Sequence, residues 1–182
     1  MKSHANHPGL RTDVALAPLS LEHAENMYRW MCDPSVSRNV GLRSEPSLEK
    51  TMVWINRTFQ DSSIRAWAVM LEGRHVGNVI LDQIDLYLNT ARVSVYVGMP
   101  EQRASGIGRT AVYLAAQRGF GEMGLNKIWA TIHVNNIASI RMFNSLGFRV
   151  EGILRDEFWL EEQRVDVFYM GLLRGESTNV IR

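Results

Sequence analysis

Arg103-Ala104-Ser105-Gly106-Ile107-Gly108 sits between an alternating apolar strand and an apolar-striped helix. In the strand, Ala91 to Gly98, residues Val93, Val95 and Val97 alternate with Arg92, Ser94 and Tyr96 at the period of two of a β-strand. The helix runs from about Gly106 to Glu122, with Ile107, Ala111, Leu114 and Ala115 returning to one face. Between them, Gly106 and Gly108 carry no Cβ to hold a ligand away from the backbone. Free amides of the first helical turn, at the positive end of the helix dipole, then face whatever anion sits there. Arg103 and Arg109 bracket the turn with side chains able to give charge-assisted hydrogen bonds to phosphate oxygens. The same pattern also suits a tight strand-to-helix connection that binds nothing.

Two common phosphate sites do not fit. A dinucleotide fingerprint needs three glycines and an acidic residue about 20 positions on. This loop has two, and the next strand, Ile128-Trp129-Ala130-Thr131-Ile132-His133-Val134, holds no carboxylate. A P-loop needs Gly-Lys-Ser/Thr, whereas Gly108-Arg109-Thr110 offers arginine at the wrong glycine spacing.

At 182 residues the chain has length for one well-buried core and not for two. Lys and Arg number 20 against 19 Asp and Glu, so the net charge of +1 gives no broad electrostatic footprint for nucleic acid or an anionic membrane. Affinity for phosphate must therefore be local. The single Cys32 excludes an internal disulfide and a multi-cysteine zinc site, and is expected as a small buried residue on a helix. No apolar run approaches the roughly 20 residues of a membrane span, and residues 1–9 lack the apolar core of a signal peptide. A cytoplasmic protein without a metal, nucleic-acid or membrane partner is the expectation.

The pattern reads as a flexible N-terminus (1–11), one domain (12–173) and a C-terminal tail (174–182). Thr12 to Leu16 forms a short strand; Ser20 caps a helix that stops near Asp33-Pro34, and Ser47 caps a second carrying Leu48, Met52, Ile55 and Phe59. Ser35 to Pro46 between them is read as irregular, with Arg38 and Arg43 placed to shape an acceptor pocket. Ala66 to Leu71 and His75 to Ile84 form a hairpin around Glu72-Gly73-Arg74. After the glycine loop and its helix come a strand at Lys127 to Val134, a helix at Ile137 to Leu146 and strands at Phe148 to Arg155 and Val165 to Leu172. Glu157 to Glu162, with Trp159, falls between those last strands, where an exposed aromatic would line a pocket or a dimer contact. Trp30, Trp54, Trp67 and Trp129 are assigned to core packing.

The second motif is Asn136-Ile137-Ala138-Ser139-Ile140-Arg141-Met142-Phe143-Asn144-Ser145-Leu146-Gly147-Phe148, followed by Glu151-Gly152-Ile153-Leu154-Arg155-Asp156. With the glycine loop and the element order, it resembles the GNAT superfamily of acetyl-CoA-dependent N-acetyltransferases over residues 12–173. The likeness is to the branch of ribosomal-protein N-terminal and amino-sugar N-acetyltransferases. The resemblance implies an α/β fold with a mixed, mainly antiparallel sheet, splayed central strands and flanking helices. It implies that backbone groups of Val95, Tyr96 and Val97 pair with the pantetheine arm of acetyl-CoA. The loop Arg103, Ala104, Ser105, Gly106, Ile107, Gly108 and Arg109 would hold the pyrophosphate. Asn136, Ser139 and Phe143 would lie along the pantetheine and thioester. Where this branch often has Trp-Gly-Lys/Arg-Gly, the chain has Arg103-Ala104-Ser105-Gly106.

Acetyl transfer needs a neutral amine, a polarised carbonyl and a proton for the departing thiolate. Holding both reactants in one cleft supplies about 7–11 kcal/mol of the barrier, and a backbone amide near Val97 would stabilise the oxyanion. Many relatives place a tyrosine where this chain has Phe143, which leaves Ser139, Tyr96 or water as the proton donor, or a thiolate that departs without an acid. His133 alternates with Thr131 and would face the gap as general base, its unperturbed pKa of about 6.5 suiting neutral pH. Its competing reading is a satisfied, partly buried strand histidine. Asp82 and Asp85, the alternatives to His133, either bind a cationic amine, guide protons through water or are solvated turn residues.

The acceptor is expected to be a small-molecule amine, an amino sugar of a nucleotide-sugar foremost, or a polypeptide N-terminus. The first is suggested by the likeness of Trp30-Met31-Cys32-Asp33-Pro34 and Gly77-Asn78-Val79-Ile80-Leu81-Asp82-Gln83-Ile84-Asp85, followed by Ala91-Arg92, to amino-sugar enzymes. Two further readings stay open: a catalytically degenerate acyl-CoA-binding module, and a homodimer whose interface completes the acceptor pocket.

Overall fold

A computed structural model describes residues 9–42, 44–160 and 162–177. Val14–Pro18 (β1), Arg65–Leu71 (β2), Arg74–Asp85 (β3) and Thr90–Val97 (β4) form an antiparallel meander. Ala24–Met31 (α1), Pro34–Val40 (α2) and Leu48–Gln60 (α3) lie between β1 and β2. The chain continues through Ile107–Gly121 (α4), Lys127–His133 (β5), Ile137–Ser145 (α5), Arg149–Leu160 (β6), Gln163–Leu173 (β7) and Arg174–Ser177 (α6). The sheet has seven strands in the order β1-β2-β3-β4-β5-β7-β6, and only β4 and β5 run parallel. The α/β fold with a mainly antiparallel sheet and flanking helices is therefore the observed one. No helix of the described residues is long and apolar enough to cross a membrane.

Alternation along the strands divides the sheet into two apolar layers. On one face Val79, Leu81, Val93, Ile128 and Met170 pack beneath α4. Four small residues of α4, Ala111, Ala115, Ala116 and Gly119, bring that helix close to the strands. A Cβ on Gly119 would stand 2.9 Å from Ile128 Cδ1. On the other face Ala68 packs with Leu19, Ala24, Met27 and Ile55 under α1 and α3. Burying an aliphatic side chain of this size stabilises the fold by about 1.5–3 kcal/mol relative to leaving it exposed.

The structure departs from the sequence reading at four places. Residues 34–40 are helical, because Asp33 accepts the Ser35 amide at 2.8 Å and Pro34 occupies the first turn. Asp-Pro here starts a helix as well as ending the preceding one. Second, β6 continues through residues 157–160 after a bulge between Leu154 and Phe158, so Trp159 belongs to an edge strand. Third, Cys32 is exposed, capping the end of α1, and is not buried. Fourth, the first four residues of the expected tail form α6, held where Arg174 Nε donates to the Leu125 carbonyl at 2.7 Å. Residues 1–8 and 178–182 lie outside the described residues, as does Arg43.

At the end of β4 the chain passes directly beneath Trp30 of α1: Gly98 donates its amide to the Val76 carbonyl at 2.9 Å, and the indole lies where a Cβ would be. Gly98→Ala therefore has to displace a nearly buried ring, and thermal unfolding should show a loss of about 1–3 kcal/mol or more. Gly121→Ala, at the open C-terminal end of α4 with nothing near the added methyl, should raise stability by about 0.5–1 kcal/mol in the same measurement.

Candidate active site

β4 and β5 pair only at Thr90–Lys127, Ala91–Ile128 and Arg92–Trp129. Beyond those pairs each strand remains bonded to its other neighbour, β4 to β3 through Val97 and β5 to β7 through His133. The two strands consequently splay, and a cavity of about 500 Å³ opens between Val93–Tyr96 on one wall and Ala130–His133 on the other. It continues under α1 and α3 to Met27, Met31 and Trp54, and is bordered by α5 at Asn136, Ser139 and Phe143.

Backbone orientation along β4 follows from its neighbours. A Cβ on Gly77 of β3 would collide with the Tyr96 carbonyl, so that carbonyl faces β3, as does the Gly98 amide bonded to Val76. Since peptide planes alternate along a strand, the amide and carbonyl of Val97, and of Val95 two residues earlier, point into the gap. The Val97 carbonyl already accepts from Arg103 Nε at 3.2 Å. Its amide is the polar backbone group of this residue that remains directed at the gap.

The glycine loop ends at Gly106, which caps α4 with φ +86, and Ala104 also lies in the left-handed region at φ +57. The first amide bonded within the helix is that of Thr110, to the Gly106 carbonyl at 3.0 Å. The amides of Ile107, Gly108 and Arg109 therefore have no partner one turn back, the arrangement that attracts anions. Gly108 serves packing as well, since a Cβ there would touch Met142 Sδ of α5 at 3.4 Å. Ser105 turns its hydroxyl to the Gln102 carbonyl at 2.5 Å.

The two bracketing arginines are hydrogen-bonded to other segments of the chain. Arg103 Nη1 donates to Ser35 Oγ at 2.9 Å and Nη2 lies 3.8 Å from Asp33, so this residue ties the loop to α2. Arg109 Nη1 donates to the Gly9 carbonyl at 3.3 Å. The segment just before β1 also closes on the loop: the Arg11 amide donates to Thr110 Oγ1 at 3.0 Å, and Arg11 Nη1 to the Ser105 carbonyl at 3.4 Å.

His133, at the end of β5, is 9 % exposed and lies against Phe158 with ring centroids 4.2 Å apart. Burial pushes its pKa below the usual 6.5, which keeps the imidazole neutral at neutral pH. Asn136 caps α5 by accepting the Ser139 amide at 3.1 Å, which leaves its NH2 as the group it can offer a ligand. Ser139 and Phe143, four residues apart, share the face of α5 that borders the cavity. Phe143 is buried edge-on against Phe148 at 4.9 Å. Of the two candidate aspartates, Asp82 forms a two-bonded ion pair with Arg92 at 2.7 and 2.8 Å on the cavity wall. Asp85 instead accepts the Tyr87 and Leu88 amides at the hairpin turn.

Tyr96 lines the same cavity, and its hydroxyl donates to Asn78 Oδ1 at 2.8 Å. Burial lifts the phenol far above its ordinary range, so it holds its proton. Behind it His75 is pushed down to about 4, first by burial and then by the neighbouring His23, and is neutral too. Sequence reasoning did not single out Asn78, His75 or Phe158. Alternation could have flagged Asn78 as a polar residue in an otherwise apolar strand, but no local signal joins Phe158 to His133, which lie 25 positions apart.

The family model for the acetyltransferase (GNAT) domain matches residues 13–149. The uncharacterized N-acetyltransferase p20 of Bacillus licheniformis is 26% identical over 168 residues, covering 90% of this chain and 94% of that protein. Spermidine N(1)-acetyltransferase of Escherichia coli (strain K12) is 27% identical over 150 residues, covering 82% of this chain and 80% of its own. Among solved structures, the spermidine N-acetyltransferase of Vibrio cholerae in complex with CoA and spermine superposes with a TM-score of 0.87 at 21% identity. That match spans 93% of this chain and all (100%) of the other, and shows a shared fold. With strands that splay beside a glycine loop at a helix N-terminus, and a domain match over three quarters of its length, the chain belongs to the GNAT acetyltransferase family and is an N-acetyltransferase acting on amines.

Proposed function

We propose that the protein transfers the acetyl group of acetyl-CoA to the primary amine of a small acceptor with a largely neutral, apolar body. The observation that carries this reading is the lining of the cavity beyond the splayed strands. Met27, Met31, Leu42, Pro46 and Trp54 dominate it, and among the described residues that line it the charges are Glu45 and Asp82 against Lys50 and Arg92. A polycation would call for uncompensated carboxylates, and here Asp82 is neutralised by Arg92. A nucleotide-sugar would call for cations aimed at its phosphates. Arg38 does not border the cavity, and Arg43 lies outside the described residues. Spermidine is kept as the second reading because a relative covering most of the chain is a spermidine N(1)-acetyltransferase.

The residues fit acetyl-CoA. Unpaired amides at the start of α4 suit its pyrophosphate, and the gap-facing backbone of Val95 and Val97 suits the amides of its pantetheine arm. When bound, it supplies the activated acetyl thioester. The Val97 amide is directed to polarise a carbonyl in the gap. His133, neutral through burial, takes the proton that the amine nitrogen loses as it attacks. Ser139, on the α5 face bordering the cavity, is the hydroxyl proposed to give a proton to the leaving sulfur, while Phe143 one turn on excludes water.

Thiol release from acetyl-CoA, measured with 2-phenylethylamine, spermidine, glucosamine and an alanyl peptide, tests the acceptor. The aromatic amine should give the highest kcat/KM; faster turnover of spermidine would transfer the assignment to the second reading. Tight CoA binding with no amine-dependent thiol release would identify a degenerate binding module.

His133→Gln should lower kcat by about 100-fold or more. Because burial lowers the pKa of the wild-type imidazole, the acid limb of its activity at saturating amine should have its midpoint below pH 6.5. That acid limb should vanish in the variant. Ser139→Ala should lower kcat while leaving CoA affinity, read by calorimetry, unchanged; unaltered kcat would assign the proton to water.

A further inference from the structure

We infer that Asn78 is a positioning residue that makes Tyr96 a hydrogen-bond acceptor for the N–H of the incoming amine, an assignment that rests on the amine-transfer reading of the cavity. Asn78 lies in the middle of β3, directly opposite Tyr96 of β4, and is 0% exposed. Its amide orientation is fixed, because Nδ2 donates to the Trp67 carbonyl at 3.2 Å and a carbonyl can only accept. Oδ1 therefore faces Tyr96 and His75, at 2.8 and 3.3 Å. An amide oxygen has no hydrogen to give, so both neighbours must donate to it: Tyr96 through its hydroxyl, His75 through Nε2–H. The neutral His75 then carries a bare Nδ1, which meets Asn26 Nδ2 at 3.5 Å. Trp30 closes this group from the side of α1, with its ring edge-on to both His75 and Tyr96.

The consequence concerns what the cavity sees. Tyr96 borders it and Asn78 does not. With its only hydrogen directed to Asn78, the phenol oxygen has lone pairs alone to offer a further partner. Ser94 and Tyr96 share the sheet face turned toward α1 and α3, opposite to the valines that pack beneath α4. That is the acceptor side of the gap. A donor arriving there from the substrate is the amine, whose N–H can point at Tyr96 while its lone pair faces the thioester. Release of the Tyr96 proton to the leaving sulfur would set a phenolate against Asn78 Oδ1 with no hydrogen between the two oxygens, so Tyr96 orients the nucleophile and leaves protonation of sulfur to another group.

The test is a double-variant cycle with Tyr96→Phe, Asn78→Leu and both together, using the most rapidly acetylated amine of the four named above. Each single variant should raise the amine KM by about tenfold with kcat changed less than about threefold. The double variant should show no further rise, and calorimetric CoA affinity should stay constant throughout. The double variant replaces both partners by apolar groups, so its thermal stability should exceed that of Asn78→Leu alone. Multiplying effects on KM would show that Asn78 does not act through Tyr96 and would overturn the assignment. So would a Tyr96→Phe variant that loses kcat at unchanged amine KM, which would mark Tyr96 as the acid; that variant decides alone if Asn78→Leu fails to fold. A wild-type protein active on the amine with unaffected variants refutes only this inference. A wild-type protein transferring acetyl to no amine refutes the functional reading and the inference with it.

Discussion

Hydrogen bonding between β4 and β5 stops after Arg92 and Trp129, and the placement of the proposed site follows from that stop. A strand edge buried without partners is costly, because each amide or carbonyl away from water seeks a partner. Here β4 is satisfied on its β3 side and β5 on its β7 side, while the edges they turn toward each other border the cavity. The Val97 carbonyl shows how the protein manages this edge: Arg103 caps it and leaves the adjoining amide turned to the gap. In the proposed reaction donor and acceptor then approach from different directions. The glycine loop and the start of α4 lie at one end of the gap, and the apolar cavity under α1 and α3 lies beyond it.

Charge inside the cavity is disposed to orient rather than to attract. Asp82 and Arg92 face each other across adjacent strands and cancel, so their two-bonded pair offers little net field to a charged visitor. The titratable side chains nearest the proposed chemistry are kept neutral by burial: His133 and His75 are shifted down and Tyr96 is shifted up. Neutral groups of fixed direction suit a reaction whose nucleophile must itself be uncharged. Such a reaction depends on position more than on long-range steering.

Much of this was legible in the sequence, because local patterns report on local geometry. The alternation of Val93, Val95 and Val97, the glycines on either side of Ile107 and the Asn136 to Phe148 run placed the strand, loop and helices within a residue or two. Interactions between distant segments were not legible. The sequence placed Arg103 and Arg109 beside the loop but not their long-range contacts, Arg103 reaching α2 and Arg109 the Gly9 carbonyl. Phe158 reaches His133 only because a bulge carries β6 onward past the point where its apolar pattern fades. Tyr96 read from sequence was a hydroxyl with a free proton; the register that sets it opposite Asn78 gives that proton a destination.

Amide hydrogen exchange with and without CoA tests the central claim, that the splayed strand edge receives the thioester cofactor as an additional strand. The account predicts that added CoA slows exchange at the gap-facing amides of Val95 and Val97 together with those of Ile107, Gly108 and Arg109, and leaves the β3-facing amides of Tyr96 and Gly98 unchanged. Protection confined to the cavity under α1 and α3, or absent from Val95 and Val97, would contradict it.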